Sequence, residues 1–254
     1  MKVVILGCGS AYGAPQSFNQ WRRMNPNDKR NQRSRSSIYL EEAGKKFIVD
    51  TGPEFRLQVN ENNIDDVDAV FITHGHYDHT AGFPELTRAS GNLEHKISVW
   101  FSEETEKSLR ENYRFIFEGK EPESVGLCFH RLPCCGEFEA EGVVFQTFQV
   151  KHHHWHCSAF RCKNFAYVTD WEQIPPEGMS ILSGVETLLI ECNNGLYPEK
   201  NGHSDLEKVK QIAAQIKPKR VILTHLSARV DFEETQKELP KNFELACDGM
   251  ILNI

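Results

Sequence analysis

Apolar residues come in short, separated runs along this chain, and most of the runs have the length and composition of strands. Lys2-Val-Val-Ile-Leu6, Ile97-Ser-Val-Trp-Phe101, Val143-Val-Phe-Gln-Thr-Phe-Gln-Val150, Asn164-Phe-Ala-Tyr-Val-Thr-Asp170, Thr187-Leu-Leu-Ile-Glu191 and Arg220-Val-Ile-Leu-Thr224 are rich in β-branched and aromatic residues. Ser37-Ile-Tyr-Leu40 and Lys46-Phe-Ile-Val-Asp50 alternate about Glu41-Glu-Ala-Gly44, which predicts a hairpin. Val70, Phe71 and Ile72 are contiguous and apolar, as in a strand covered on both faces. An edge strand closes the chain over 249–253. Between the strands, Pro53 suits a first helical turn and 54–60 a short helix. Ser102 caps a helix with an acidic first turn that runs to about Tyr113. Ser204 caps another, whose apolar positions Leu206, Val209, Ile212, Ala213 and Ile216 share one face. A last helix lies near 232–239. Over 115–138 the pattern is weak and interrupted by Pro122, Pro133 and Gly136, where a lid or substrate-shaping insertion is expected. One α/β domain over 1–254 accounts for the whole length.

Charge and cysteine content narrow the classes. A formal net charge of −7 gives no global attraction to nucleic acid or to an anionic membrane, so an anionic ligand must be drawn by a local field. The apolar runs are too short to span a bilayer, and the amino terminus leads into a strand without a signal-peptide pattern. A cytoplasmic protein with no membrane partner is expected. Cys8, Cys128, Cys134, Cys135, Cys157, Cys162, Cys192 and Cys247 are scattered without a C-x-x-C pair, which fits reduced thiols better than disulfides or a structural zinc. The loop Gly7-Cys-Gly-Ser-Ala-Tyr-Gly13-Ala-Pro15 can line a site or make a tight turn, but its spacing is not a dinucleotide fingerprint. Residues 21–35 run against the acidic balance: Arg22, Arg23, Lys29, Arg30, Arg33 and Arg35 stand against a single Asp28. A solvated loop is one reading; the other is that a guanidinium there contacts a phosphate.

Candidate chemistry gathers after the Val70 strand. Asp68-Ala-Val-Phe-Ile-Thr-His74-Gly-His76-Tyr-Asp78-His79 places four metal-ligand side chains within six positions. Imidazole and carboxylate hold zinc, manganese or iron(II), and the H-x-H-x-D-H spacing lets one turn of chain supply two ions. Later strands end on similar residues. Lys151-His152-His153-His154-Trp-His156 follows one of them, and offers several candidates for a further ligand. Asp170 ends the next, where a carboxylate can bridge two cations roughly 3.5–4 Å apart. His225 ends the strand that begins at Arg220, and open α/β sheets place their sites at such strand ends. His203 stands just before a helix start. Asp50, at another strand end, can orient a ligand histidine or cap its own turn.

The motif at 74–79 resembles that of the metallo-β-lactamase superfamily. This resemblance implies an αββα sandwich, two mixed sheets flanked by helices, with a metal site at one edge. In the resembling families the third-loop ligand shortly precedes an S-x-G-[FY] strand, here Cys157-Ser-Ala-Phe160; the register favours His153, with His152 next. The implied set is His74, His76 and His153 on one divalent ion, Asp78, His79 and His225 on the other, and Asp170 joining them, the metal being zinc or manganese. Gly202-His203-Ser-Asp-Leu206, Pro218-Lys-Arg-Val-Ile-Leu-Thr-His-Leu-Ser227, Asp248-Gly-Met250, Thr51-Gly-Pro-Glu-Phe-Arg56 and the Gly7 loop resemble the PhnP-like phosphodiesterases. That branch implies hydrolysis of a small anionic phosphodiester, such as 5-phosphoribosyl 1,2-cyclic phosphate, by a metal-bridging hydroxide. Asp78 orients the hydroxide in this scheme, and His203 protonates the leaving alkoxide.

Where that branch has a cysteine-rich stretch and a further histidine that hold a separate structural zinc, this chain has Trp21-Arg-Arg-Met24 and Ala228. No such zinc is expected, and the substrate is left open. A lactone or thioester hydrolase and a tRNase Z-like nuclease share the motif; the acidic balance and the lack of an evident RNA-clamping arm disfavour nucleic acid as a partner. A non-catalytic module is disfavoured because no expected ligand position is empty, and a redox enzyme because that branch carries glutamate where His76 stands. A homodimer is compatible with the chain.

Overall fold

The computed structural model describes residues 1–91, 93, 95–118 and 126–254. Among them, fourteen strands form two seven-stranded sheets. The first contains β1 (Lys2–Gly7), β2 (Ser37–Glu42), β3 (Lys45–Val49), β4 (Ala69–Phe71), β5 (Ile97–Phe101), β6 (Leu127–Arg131) and, beside β1, β14 (Met250–Asn253). The second contains β7 (Cys135–Ala140), β8 (Val143–His152), β9 (Trp155–Cys162), β10 (Phe165–Val168), β11 (Thr187–Glu191), β12 (Arg220–Thr224) and β13 (Phe243–Leu245). Pairing is antiparallel from β14 to β3 and parallel from β3 to β6. The second sheet repeats this plan, antiparallel from β7 to β10 and parallel from β10 to β13. Strand β3 therefore corresponds to β10, β4 to β11 and β5 to β12.

The described helices are α1 (Phe55–Glu61), α2 (Tyr77–Thr80), α3 (Phe83–Ser90), α4 (Glu103–Asn112), α5 (Arg114–Phe117), α6 (Pro176–Leu182), α7 (Leu206–Ile216) and α8 (Phe232–Glu238). Contiguous apolar runs let both faces of each sheet be buried. Val3, Ile38, Phe47 and Phe71 meet Phe145, Phe160, Tyr167 and Leu189 between the sheets, with the Phe71 and Phe145 rings edge to face at 4.9 Å. The alternate residues Val4, Ile48 and Val70 pack under Phe55, Phe83 and Leu109 of the helices. Leu188, Ile190 and Val221 pack under Leu182, Val209 and Phe232 on the opposite side. Helix, sheet, sheet, helix is the αββα sandwich expected, and among the described residues no helix is long and apolar enough to cross a membrane.

Local chemistry explains most of the element ends. Ala43 and Gly44 both have positive φ, 51° and 77°, the backbone that a two-residue hairpin turn requires. Ser102 accepts a hydrogen bond from the Thr105 amide at 3.2 Å as the cap of α4. The insertion expected over 115–138 is not a lid where it is described. Residues 127–131 and 135–140 are edge strands β6 and β7, with Pro133 in the link between them, Gly136 within β7 and Pro122 outside the described residues. Their sequences are short and half polar because an edge strand has one neighbour and one open side.

Candidate metal centre

The C-terminal ends of the parallel strands converge at one edge of the sandwich. After β4, Thr73-His74-Gly75-His76 turns into α2, where Asp78 and His79 are buried. Glycine is required within this turn, since a Cβ on Gly75 would stand 2.4 Å from Ser108 Oγ. Beyond β10 comes Asp170, and beyond β12 His225. Asp50, Asp170 and His225 have φ of 66°, 45° and 54°, a left-handed backbone that non-glycine residues seldom adopt and that clusters at functional sites.

The donor atoms of His74, His76 and His152 lie within 4.8 Å of one another. The same holds for Asp78, His79 and His225, for His74, His79 and Asp170, and for His152, Asp170 and His203. Asp170 thus borders both groups, with His152 Nε2 at 3.8 Å on one side and His79 Nε2 at 3.1 Å and His225 Nε2 at 3.4 Å on the other. The Nε2 atom of His74 is buried without a hydrogen-bond partner, a condition that costs about 1–3 kcal/mol and that a coordinated cation relieves. Converging imidazoles and carboxylates with an orphaned nitrogen among them fit divalent ions.

Electrostatics inside the cluster follow from burial and neighbours. Burial pushes the pKa values of His74 and His76 down, and that of His152 to about 4. For Asp78, burial raises the pKa but the His79 charge outweighs it; for Asp170, the charges of His225 and His79 do the same, and both carboxyls stay well below their usual range. These are the protonation states that bind metal. His79 differs: burial pulls it down, yet Asp78, Asp50 and Asp170 together hold it well above the ordinary imidazole value. Its proton neutralises carboxylates that a cation would otherwise neutralise.

Two buried carboxylates support the cluster from behind. Asp50 Oδ2 lies 2.6 Å from His79 Nδ1 and accepts from Thr73 Oγ1 at 2.8 Å, while the Thr73 amide donates to Oδ1 at 2.8 Å. Burial raises the Asp50 pKa despite the His79 charge. Glu191 accepts from Ser204 Oγ and from the Asn193 amide, both at 2.8 Å, and stands 3.5 Å from His203 Nδ1. Burial lowers the His203 pKa, but the adjacent Glu191 carboxylate, with Asp170 behind it at 3.7 Å, outweighs burial and raises it to about 9. Glu191 was missed as a site residue in the sequence, although it closes an apolar strand as Asp170 does. Because Ser204 serves Glu191, the cap of α7 is Asp205, which accepts from the Lys208 amide at 3.0 Å; the sequence pointed to Ser204.

His152, rather than His153, enters the cluster. Strand β8 continues to His152 and pairs it with Trp155, so two-residue periodicity puts His152 on the buried side with Phe148 and Val150. The Gly202 carbonyl meets its Nδ1 at 3.0 Å. His153 falls in the turn, with φ of 52°, and its exposed ring rests on Gly202, where a Cβ would come 2.1 Å from Cε1. His156 points away to Glu104 at 3.3 Å. Trp155 had no part in the sequence argument, yet its ring lies 5.7 Å from that of His76. Trp21, Met24 and Ala228, at the positions where a second zinc was not expected, pack with Ala14 into a small apolar cluster.

Comparison with known proteins adds four findings. An octanoyltransferase of Porphyromonas gingivalis is 26% identical over 98% of this chain and 51% of its own length, so the chain spans about half of that relative. A ribonuclease Z of Parabacteroides distasonis is 23% identical over 98% of both proteins. The crystal structure of a diphosphatase from the PhnP family superposes with a TM-score of 0.90 at 28% identity, covering 100% of this chain and 97% of the other. The model of the β-lactamase superfamily domain matches residues 45–226, a span that holds every donor named above, and the chain belongs to that family.

Proposed function

We propose that this chain is a hydrolase with two divalent ions, zinc or manganese, that opens a small cyclic phosphodiester of the 5-phosphoribosyl 1,2-cyclic phosphate type. The observation that carries the reading is the convergence of six donors about Asp170 with a protonatable histidine beside them. His74, His76 and His152 would hold one ion, Asp78, His79 and His225 the other, and Asp170 would reach both. The chemistry such ions supply when bound is activation of water near neutral pH and neutralisation of charge on phosphoryl oxygens.

The remaining work falls to side chains. His203 turns Nδ1 toward Glu191 and keeps Nε2 for the leaving alkoxide; with a pKa raised to about 9 it carries the required proton at neutral pH. Asp78, whose Oδ2 lies 3.3 Å from His225 Nε2, would orient the attacking water. The relatives that this chain covers almost end to end, named as a diphosphatase and a ribonuclease Z, favour a phosphorus centre over a carbonyl. The whole of 1–254 is read as one hydrolase domain. A cytoplasmic setting is supported by the cysteines, all eight of which are free.

The test is hydrolysis by zinc- or manganese-loaded protein of a panel of cyclic phosphodiesters, bis(p-nitrophenyl) phosphate, a lactone, a thioester and a precursor tRNA. Turnover of the cyclic diesters above all others is expected. Turnover confined to the lactone or thioester overturns the reading, and preference for the precursor tRNA replaces the substrate.

A further inference from the structure

The cations of the segment 22–35 are sorted by their surroundings. Arg30 is forked onto Asp28, with Nη2 2.7 Å from Oδ2, and Arg35 is paired with Glu54. Arg33 is buried and donates to the carbonyls of Val230 at 2.8 Å and Ser227 at 3.3 Å, so it ties two loops together. Lys29 lines a different cleft, beside Glu54, Glu61 and Asp248. Arg22 and Arg23 remain. Both are exposed, and among the described residues neither is paired with a carboxylate.

With Gln16, Tyr197, Ser227 and Arg229 they line a cleft of about 890 Å³. Arg22 Nε donates to Gln16 Oε1 at 3.0 Å, which fixes the direction of its fork. The Arg23 guanidinium lies 4.2 Å above the Tyr197 ring, an arrangement that holds the group by its face and leaves its edge donors free. Glu199 is the one carboxylate in the lining, and it is paired with Arg229. Three guanidinium groups against one carboxylate make a positive cleft on a chain whose net charge is −7. Ser227 ties the cleft to the donor cluster. Ser227 is two residues beyond His225, at most about 7 Å along the backbone. Its Oγ donates to the Asn193 carbonyl at 2.7 Å, and the Asn193 side-chain amide faces His225 Nδ1 at 3.3 Å.

We propose that this cleft is a second anion site that takes a phosphoryl group, held bidentately by Arg22 and Arg23. The phosphoryl group is either the far phosphate of a substrate that carries two, a case that rests on the phosphodiesterase reading, or free phosphate.

The experiment uses metal-loaded protein and the variant Arg22→Gln/Arg23→Gln. Inorganic phosphate should shift the Arg229 Nε–Hε resonance saturably in the wild type. The variant should bind phosphate at this reporter at least roughly tenfold more weakly, with metal content unchanged. A KM that rises at least roughly tenfold for a cyclic diester bearing a second phosphate, with bis(p-nitrophenyl) phosphate hydrolysis unaffected, assigns the site to substrate. Weakened phosphate binding with both KM values unchanged assigns it to free phosphate. A reporter that does not move in the wild type, or moves equally in both proteins, overturns the proposal. That result stands whether or not any phosphodiester is hydrolysed, so it is separate from failure of the proposed activity.

Discussion

Asp50 and Asp170 occupy matching places in the two sheets. Each follows the strand at which antiparallel pairing gives way to parallel pairing, each has a left-handed backbone, and each is buried. Their partners differ. Asp50 is enclosed by Thr73 and by the far nitrogen of His79, and burial raises its pKa. Asp170 faces His79, His225, His152 and His203, and the charges of His225 and His79 keep it ionised in spite of the same burial. Fold position accounts for where the two carboxylates sit. Only the neighbours account for why, in the proposed centre, one would position a ligand histidine and the other would be a ligand itself.

The comparison breaks if the two aspartates behave alike on mutation. Asp170→Asn, which removes the negative charge shared by both donor groups and replaces one of its two oxygens with an amide nitrogen, should reduce retained metal to one ion or none and abolish turnover; a variant that keeps two ions by elemental analysis would contradict the assignment. His203→Ala should leave metal content intact and lower turnover by roughly 10²–10⁴. Unchanged turnover in a steady-state assay would remove His203 from the reaction.

Asp50→Asn should weaken metal binding by only about 10–100-fold, because His79 keeps its place in the chain but loses the partner that orients it. A competition assay with a chelator measures the difference from Asp170→Asn. Acidity sharpens the same point. His79 is held protonated in the metal-free protein by three carboxylates, and metal binds the neutral ring, so uptake must release that proton. Affinity should therefore increase as pH rises toward the raised pKa of His79 and fall as pH drops. Calorimetry in buffers of different ionisation enthalpy reads the proton directly, and uptake at neutral pH with no release would contradict it. The smallest effect is expected for Glu191→Gln. Removing the charge that holds the His203 pKa up should move the alkaline limb of the kcat profile to lower pH without changing metal content. An unmoved limb would leave Glu191 with a structural role alone.

Much of this was legible in the sequence because buried strands and their terminal polar residues are written contiguously. Val70 to Ile72 followed by His74, His76, Asp78 and His79, the strand ending at Asp170, and the strand ending at His225 needed no tertiary information. The choice between His152 and His153 did need it, because it depends on how far β8 runs before a two-residue turn. The cap of α7 was equally hidden. Ser204 and Asp205 are both good capping residues, and the choice is made by Glu191, which takes the Ser204 hydroxyl. Strands β6, β7 and β13 escaped because short edge strands carry little apolar signal. Nor could the charge run over 22–35 separate a buried tie such as Arg33 from the exposed Arg22 and Arg23, since that sorting depends on contacts from residues more than 150 positions away, such as Ser227 and Val230.

The most direct measurement is anomalous diffraction at the zinc or manganese edge from crystals of the metal-loaded protein. Two peaks per chain are predicted, one among His74, His76 and His152 and one among Asp78, His79 and His225, with Asp170 within coordinating distance of both. A single peak held by His153, or density elsewhere with these donors unligated, would contradict the account.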